Sequence, residues 1–295
     1  MAVYPDAQAP NDTLAKRESQ ARYRFSRVAS PEEAISRVAA AHAAGERILW
    51  VVNTVARCQD LADQLRDRLK TDVLCYHGRY RLCDRQTRHT ATVGEFQQRE
   101  RPAVAVTTQV CEMSLDLDAD LLVSEDAPIT SLIQRFGRAN RHLLRDRAEI
   151  LTYAPPAALP YDRAEVSPAI PFLAELEGRD VSQADLAAGL LKHGPGERRS
   201  HAAARFESAG YYATPGKLRD IEENGRTAVL DEDADEVREL IKRRLPIDRY
   251  LLSVPRADAI EEDPRLEGLP RYLVLAPSSQ YSVDRGFRAV RGARS

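Results

Sequence analysis

Short apolar runs separated by segments of helical period constrain this chain more than any other feature. Residues 48–52 (ILWVV) are apolar without a break, the pattern of a strand buried on both faces. Residues 73–76, 103–107, 121–124 and 150–153 read as further strands. Between them lie predicted helices at 31–44, 55–70, 84–97 and 128–142. The first has a clear start: Ser30 as cap, Pro31 in the first turn, Glu33 placed to complete a capping box, and Gly45 as the stop. In the second, Leu61, Leu65 and Leu69 repeat at helical spacing. Strands alternating with helices at these intervals require right-handed crossovers, and so a parallel sheet with helices on both faces.

The fold class expected is therefore α/β over residues 29–155, preceded by a polar lead-in at 1–28. A run of prolines (Pro155, Pro156, Pro160, Pro168, Pro171) then opens a less periodic, smaller α+β extension at 156–295. In it, helices are expected at 184–191 and 234–244, strands at 227–230 and 271–276, and an Arg-rich tail from 285. Net charge is −2, so a surface for nucleic acid has to be a local patch. Cys58, Cys75, Cys83 and Cys111 show no C-x-x-C spacing, and no His pair completes a ligand set. Free thiols in a reducing cytoplasm and no metal site are expected. Residues 1–20 lack the apolar segment of a signal peptide, and no run approaches membrane-spanning length, so neither membrane nor export is expected.

In parallel α/β sheets, ligands meet the loops at the carboxyl ends of the strands. Three candidate segments fall there: Asn53-Thr54, His77-Gly78-Arg79 and Thr107-Thr108. Hydroxyls and backbone N–H groups at such ends can hold a sugar-phosphate backbone without reading bases. Arg79, Arg81 and Arg85 around Tyr80 form a basic cluster with an aromatic in it, which suits single-stranded nucleic acid. Asp116 can accept from a ribose hydroxyl, whereas Asp118 and Asp120 read as turn or packing residues. Gln134, Arg138 and Arg141 fall on one face if the helix runs through them. Two guanidiniums one turn apart suit a γ-phosphate, whose charge is spread over several oxygens. No G-x-x-x-x-G-K-[ST] phosphate loop occurs, and Ser124-Glu125-Asp126-Ala127 stands in the wrong order for an acidic metal box.

Taken in order, these segments resemble motifs of a superfamily 2 helicase. Residues 107–122 (TTQVCEMSLDLDADLL) resemble motif V, and residues 132–142 (LIQRFGRANRH) resemble motif VI. Residues 48–65 (ILWVVNTVARCQDLADQL) and 76–86 (YHGRYRLCDRQ) resemble motif IV and its sequel in the CRISPR-associated helicase-nuclease of type I interference systems. The doubled Leu-Asp at 115–118 and the terminal His142 fit that family better than a DEAD-box protein, and residues 210–233 are compatible with its extension. Cys111 and Met113 depart from its usual small or polar residues.

The resemblance implies a second RecA-like helicase lobe plus a C-terminal extension. It implies ATP-driven translocation on single-stranded DNA, with ATP and Mg as cofactors and the Mg ligands on a first lobe. By position, Asn53, Thr54, His77, Arg79, Thr107 and Thr108 face DNA. Asp116 and Gln134 face the nucleotide, and Arg138 and Arg141 act as arginine fingers. The implied partners are a first RecA-like lobe and an HD nuclease (on a separate chain or a missing segment) and an RNA-guided type I surveillance complex. A split gene or a truncated frame would explain the arrangement. Without a partner lobe the chain is expected to be inactive. The alternatives are a non-catalytic DNA-binding or scaffold fragment, and the second lobe of another superfamily 2 translocase.

Overall fold

A computed structural model describes residues 16, 18–157, 159–194 and 225–290. Residues 210–224 of the segment matched to the extension, and the end of the Arg-rich tail beyond 290, lie outside the described residues.

The expected parallel sheet is present. Strands β1 (Ala21–Arg27), β2 (Arg47–Val51), β3 (Leu74–Tyr76), β4 (Ala103–Thr107), β5 (Leu121–Glu125), β6 (Ala148–Tyr153) and β7 (Asp180–Ser182) form one seven-stranded sheet in the order β3-β4-β2-β5-β6-β1-β7. All neighbours run parallel except β7, which pairs antiparallel with β1 at the edge. Period-two alternation splits the central strands between two cores. Ile48 and Trp50 face the helices α1 (Pro31–Ala43) and α2 (Val55–Leu69), meeting Ala34, Val38, Leu61 and Leu65. Leu49 and Val51 face the other side, where Leu132 and Phe136 of α5 (Ile129–Phe136) pack. Two further helices, α3 (Leu82–Gln97) and the short α4 (Val110–Ser114), follow β3 and β4.

Local capping follows the sequence with one shift. Ser30 Oγ accepts from Glu33 N at 3.3 Å, but the Glu33 carboxylate reaches back to Ala29 N rather than to Ser30 N. Thr54 caps α2 in the same way, its Oγ accepting from Arg57 N.

Three expectations are corrected. Residues 21–27, read as lead-in, form β1 because Tyr23 and Phe25 alternate with polar residues and bury against β6. The expected change of organisation after residue 155 is not a break in the core. Helices α6 (Arg163–Val166), α7 (Ala169–Leu176) and α8 (Gln183–His193) follow β6, and Phe172, Leu173, Leu176 and Leu186 join the same cluster as Leu49 and Phe136. The helix expected to run to residue 142 stops at Phe136. Beyond it the chain leaves the helix to pair with the approach to β5, through a parallel bridge between Ala119 and Ala139.

Beyond the lobe, β8 (Gly225–Leu230), β9 (Leu252–Pro255) and β10 (Val274–Ala276) make a second sheet, with α9 (Ala234–Lys242) following β8. A hairpin of β11 (Tyr281–Ser282) and β12 (Gly286–Phe287) returns to the lobe.

Candidate functional site

The segment before β5 and the turn after α5 are joined residue by residue. Ala119 N donates to Arg138 O at 2.9 Å, and Asn140 N donates to Ala119 O at 3.1 Å. Asp118 Oδ1 accepts from Arg141 N at 2.7 Å, while its other oxygen accepts from Arg99 Nη2. The buried Asp120 ties the same region to β2 through Arg47, whose backbone N and Nη2 both donate to it at 2.7 Å. Asp118 and Asp120 are therefore structural anchors, which is how the sequence reads them.

Gln134, Arg138 and Arg141 do not lie on one continuous helix. Gln134 is exposed on α5, Arg138 follows its end, and Arg141 stands past the bridge. The charge of Arg141 is nevertheless felt at Arg138. Burial, and then the positive charge of Arg141, hold the Arg138 guanidinium below its ordinary value. Arg138 donates through Nη1 to Leu115 O at 2.7 Å and through Nη2 to Glu112 O, while its buried Nε has no partner among the described residues. Arg141 Nε lies 3.1 Å from Asp116 Oδ1 in an exposed ion pair. An exposed acidic residue suited to a sugar hydroxyl thus stands beside an exposed cation suited to phosphate, and the half-buried Arg138 feels the charge of both. Among the described residues no cluster of three His, Cys, Asp or Glu side chains is placed to hold a metal ion.

Sequence reasoning passed over Arg135, which is fully buried. Its Nε donates to Glu112 Oε1 at 2.8 Å, Nη1 to Ser124 Oγ at 3.1 Å and Nη2 to the Tyr161 hydroxyl at 3.2 Å. This one side chain links α4, β5 and the segment after β6. The signal was present: Leu132, Arg135, Phe136 and Ala139 repeat at helical spacing, which turns Arg135 inward.

At the carboxyl ends of the strands the candidates divide. Asn53 and Thr107 are fully buried. Asn53 N donates to Glu125 Oε2 at 2.6 Å and its Nδ2 to Asp126 O at 2.8 Å, while Thr107 Oγ donates to Thr108 O. These side chains hold the loops together and present no surface to a ligand. Glu125, itself buried, pairs with Arg57 at 2.7 Å, and burial raises its carboxyl above the ordinary range. Thr54 is half-buried at the start of α2. Thr108 lines an open cleft together with Gly78, Gln109 and Arg85.

His77 is likewise corrected from a surface contact to an internal one. It is fully buried beneath the β11–β12 hairpin. Its Nε2–H donates to Arg285 O at 2.9 Å and its Nδ1 accepts from Arg79 N at 3.1 Å, which requires the neutral ring. The ring stacks on Tyr80 at 4.6 Å, and the Tyr80 hydroxyl donates to Asp284 O at 3.0 Å. Phe287 N donates to Arg79 O, and Gln59 Nε2 donates to the carbonyls of Arg285 and Phe287. Much of the basic, aromatic cluster after β3 is thus the seat of the extension. The cleft beside it holds about 340 Å³ and has a wall from each part: Val55, Gly78 and Thr108 from the lobe, and Thr227, Leu252 and Ser253 from the second sheet.

Comparison with known proteins places this geometry. Residues 44–144 match the family model described as CRISPR-associated nuclease/helicase Cas3, C-terminal. A putative CRISPR-associated nuclease/helicase Cas3 of Myxococcus xanthus is 31% identical over 297 residues, covering 96% of this chain and 37% of that protein. The CRISPR-associated endonuclease/helicase Cas3 of Escherichia coli is 33% identical over 113 residues, covering 37% of this chain and 13% of that one. The chain therefore spans little more than a third of the longer of these matches. Among solved structures, T. fusca Cas3 with AMPPNP superposes with a TM-score of 0.58 at 17% identity, covering 88% of this chain and 39% of that one. A CRISPR RNA-guided surveillance complex in a pre-nicking state contains a chain that superposes with a TM-score of 0.56 at 18% identity, covering 88% and 41%. At these identities the superpositions establish the fold alone. Among the described residues no helix is long and apolar enough to cross a membrane.

Proposed function

Residues 44–144 belong to the Cas3 C-terminal helicase family, and on that premise we propose that this chain is the nucleotide-closing second lobe of an ATP-dependent single-stranded-DNA translocase. The observation that carries the reading is the exposed Asp116–Arg141 pair, whose charges both act on Arg138. Two cations and an exposed carboxylate in this region fit the terminal phosphate and sugar of a nucleotide held by an opposing lobe. Gln134, exposed on α5, would add an amide to that region.

ATP supplies the phosphoryl group whose transfer to water drives such motors. The residues present fit one side of it only. Asp116 orients the sugar. Arg138, which donates to the carbonyls of Glu112 and Leu115, and Arg141, which pairs with Asp116, would hold the γ-phosphate. Asp118 holds the backbone from which Arg141 reaches. The phosphate loop and the Mg ligands belong to the first lobe, on the same longer polypeptide or a separate chain.

Single-stranded DNA passes the carboxyl ends of β2, β3 and β4, where Thr54, Arg79 and Thr108 meet its backbone. T. fusca Cas3 has been solved with AMPPNP and with ADP, and a similar chain lies in a CRISPR RNA-guided surveillance complex. By family membership we extend to this chain nucleotide use and recruitment by such a complex, with an HD nuclease and a cytoplasmic setting as part of the proposal. The test is DNA-stimulated ATPase of the chain with and without a phosphate-loop lobe. Turnover in the mixture alone supports the half-motor. Silence in both favours a DNA-binding fragment, and robust turnover by the chain alone overturns the two-lobe scheme.

A further inference from the structure

Two of the four free thiols meet in the core beneath the hairpin. Cys58 of α2 and Cys75 of β3 are fully buried, with their sulfurs 3.7 Å apart. Cys111 is buried in the core on the other side of the sheet, and Cys83 is half-buried at the start of α3. Thiols packed in a core ordinarily act as small apolar groups.

This pair differs in its surroundings. Cys58 Sγ also lies 3.4 Å from Val106 O, so its S–H has two acceptors within reach, that carbonyl and the sulfur of Cys75. Val73 and His77, two residues to either side of Cys75, share its face of the strand. Both bind one arginine of the hairpin. Arg285 Nη1 donates to Val73 O at 3.3 Å, and Arg285 O accepts from His77 Nε2 at 2.9 Å. From α2, Gln59, next to Cys58, donates to the same carbonyl at 2.6 Å. Arg285 is 7% exposed. Its Nε pairs with Asp63 at 2.7 Å, and its buried Nη2 has no partner among the described residues.

A buried cation that bridges both neighbours of a thiol, with a donor to spare, favours the thiolate. The hydrogen bond from Cys58 holds the Cys75 thiol well below its ordinary value against its burial, and the charge of Arg285 adds to that. Burial pushes the Cys58 thiol up, so Cys58 keeps its proton.

We propose that Cys58 and Cys75 form a redox-active dithiol, in which Cys75 reacts with a hydroperoxide and Cys58 resolves the product into a disulfide between α2 and β3. The Cys75 thiolate attacks a peroxide oxygen. An S–O bond forms as the O–O bond breaks, hydroxide leaves, and Cys75 becomes a sulfenic acid. The Cys58 sulfur then attacks the Cys75 sulfur. The S–S bond forms, the S–O bond breaks, and the departing hydroxyl takes the Cys58 proton to leave as water. Two electrons pass from the sulfurs to the peroxide, and a small dithiol reverses the bond by exchange. Hydrogen peroxide, little larger than water, reaches the buried pair through local opening.

The experiment exposes the whole reduced chain to hydrogen peroxide in native buffer. The remaining thiols are then capped with N-ethylmaleimide in urea and the peptides read by mass spectrometry. Loss of two of the four thiols is expected, as a bond joining Cys58 to Cys75 that dithiothreitol reverses, with Cys83 and Cys111 capped. Trp50, in the same core as both sulfurs, should keep its native fluorescence throughout. In Cys58→Ser, Cys75 should gain oxygen as sulfenic or sulfinic acid, whereas Cys75→Ser should leave Cys58 unoxidised. Cys83 is the more open thiol, so oxidation that merely follows exposure would mark Cys83 first and overturn the proposal. Four intact thiols overturn it, as does a bond that forms only once the native fluorescence is lost. Oxygen on Cys58 in Cys75→Ser, with none on Cys75 in Cys58→Ser, overturns the assigned roles.

Discussion

The backbone N–H of Arg141 donates to Asp118 Oδ1 at 2.7 Å, so this arginine is held from the approach to β5 and not from the helix that precedes it. The helix ends five residues earlier, at Phe136, and cannot transmit its geometry that far. The carboxylate is 5% exposed and takes a second donor from Arg99, which fixes its own orientation.

Asp118→Ala should free the Arg141 amide. Hydrogen exchange at that amide is expected to quicken about tenfold or more, the loss of one charge-assisted bond. Asp118→Asn keeps an oxygen acceptor and should restore most of the protection. Equal exchange in the alanine variant and the parent would show that the bond does not hold the segment.

Arg138→Ala should abolish ATPase of the chain paired with a phosphate-loop lobe while leaving single-strand affinity within about twofold, because finger arginines act on the transferring phosphoryl group. Intact turnover would remove Arg138 from that role.

Glu125 carries a pH signature. Burial raises its carboxyl above the ordinary 4.5 despite Arg57 beside it. A raised folded value means the native state holds the proton more tightly than the unfolded chain. The resulting stability is complete below pH 4.5 and is lost as pH rises through the raised value. Glu125→Gln should therefore flatten the dependence of stability on pH above 4.5. Urea unfolding followed by the single tryptophan, Trp50, buried against Tyr153, reads this directly. Superimposable pH profiles would remove Glu125 as the source. Arg57→Ala leaves the carboxylate buried and unpaired and should cost about 3 kcal/mol at neutral pH.

Gly286 has φ +66, and a Cβ there would lie 2.6 Å from Arg79 O and 2.8 Å from His77 Cε1. Gly286→Val should lift the hairpin from its seat and destabilise the protein by more than about 1 kcal/mol. The same change should raise hydrogen exchange over residues 77–80 and 281–287 together. Exchange confined to the hairpin would mean that the loop after β3 holds its shape without it.

Much of the fold was legible because its signals are local. Five apolar stretches and the helices between them imply a parallel sheet, since only that arrangement buries strands on both faces. The order of the motif-bearing segments could also be read, because each sits at a strand's carboxyl end by topology. Less legible was β1, where Tyr23 and Phe25 alternate with polar residues over a stretch short enough to pass for a lead-in. A strand that starts ahead of its sheet has no local partner, and its pairing with β6 closes across more than a hundred residues.

What the sequence determined by itself, then, is the class of fold and the residue types we propose for a nucleotide face: Asp116, Gln134, Arg138 and Arg141. Tertiary structure decided which of the other candidates can meet a ligand. Asn53, His77 and Thr107 are turned to internal bonds because buried polar groups must be satisfied: Asn53 finds Glu125 of β5, His77 a hairpin about two hundred residues later, and Thr107 the neighbouring carbonyl of Thr108. Arg81, at the cap of α3, and Arg85, in its first turn, are four residues apart, yet among the described residues only Arg81 pairs with acids, because Asp233 and Asp84 reach it. Side-chain chemistry is written locally, but whether a charge is spent inside the molecule or left for a partner depends on contacts that close only when the chain has folded.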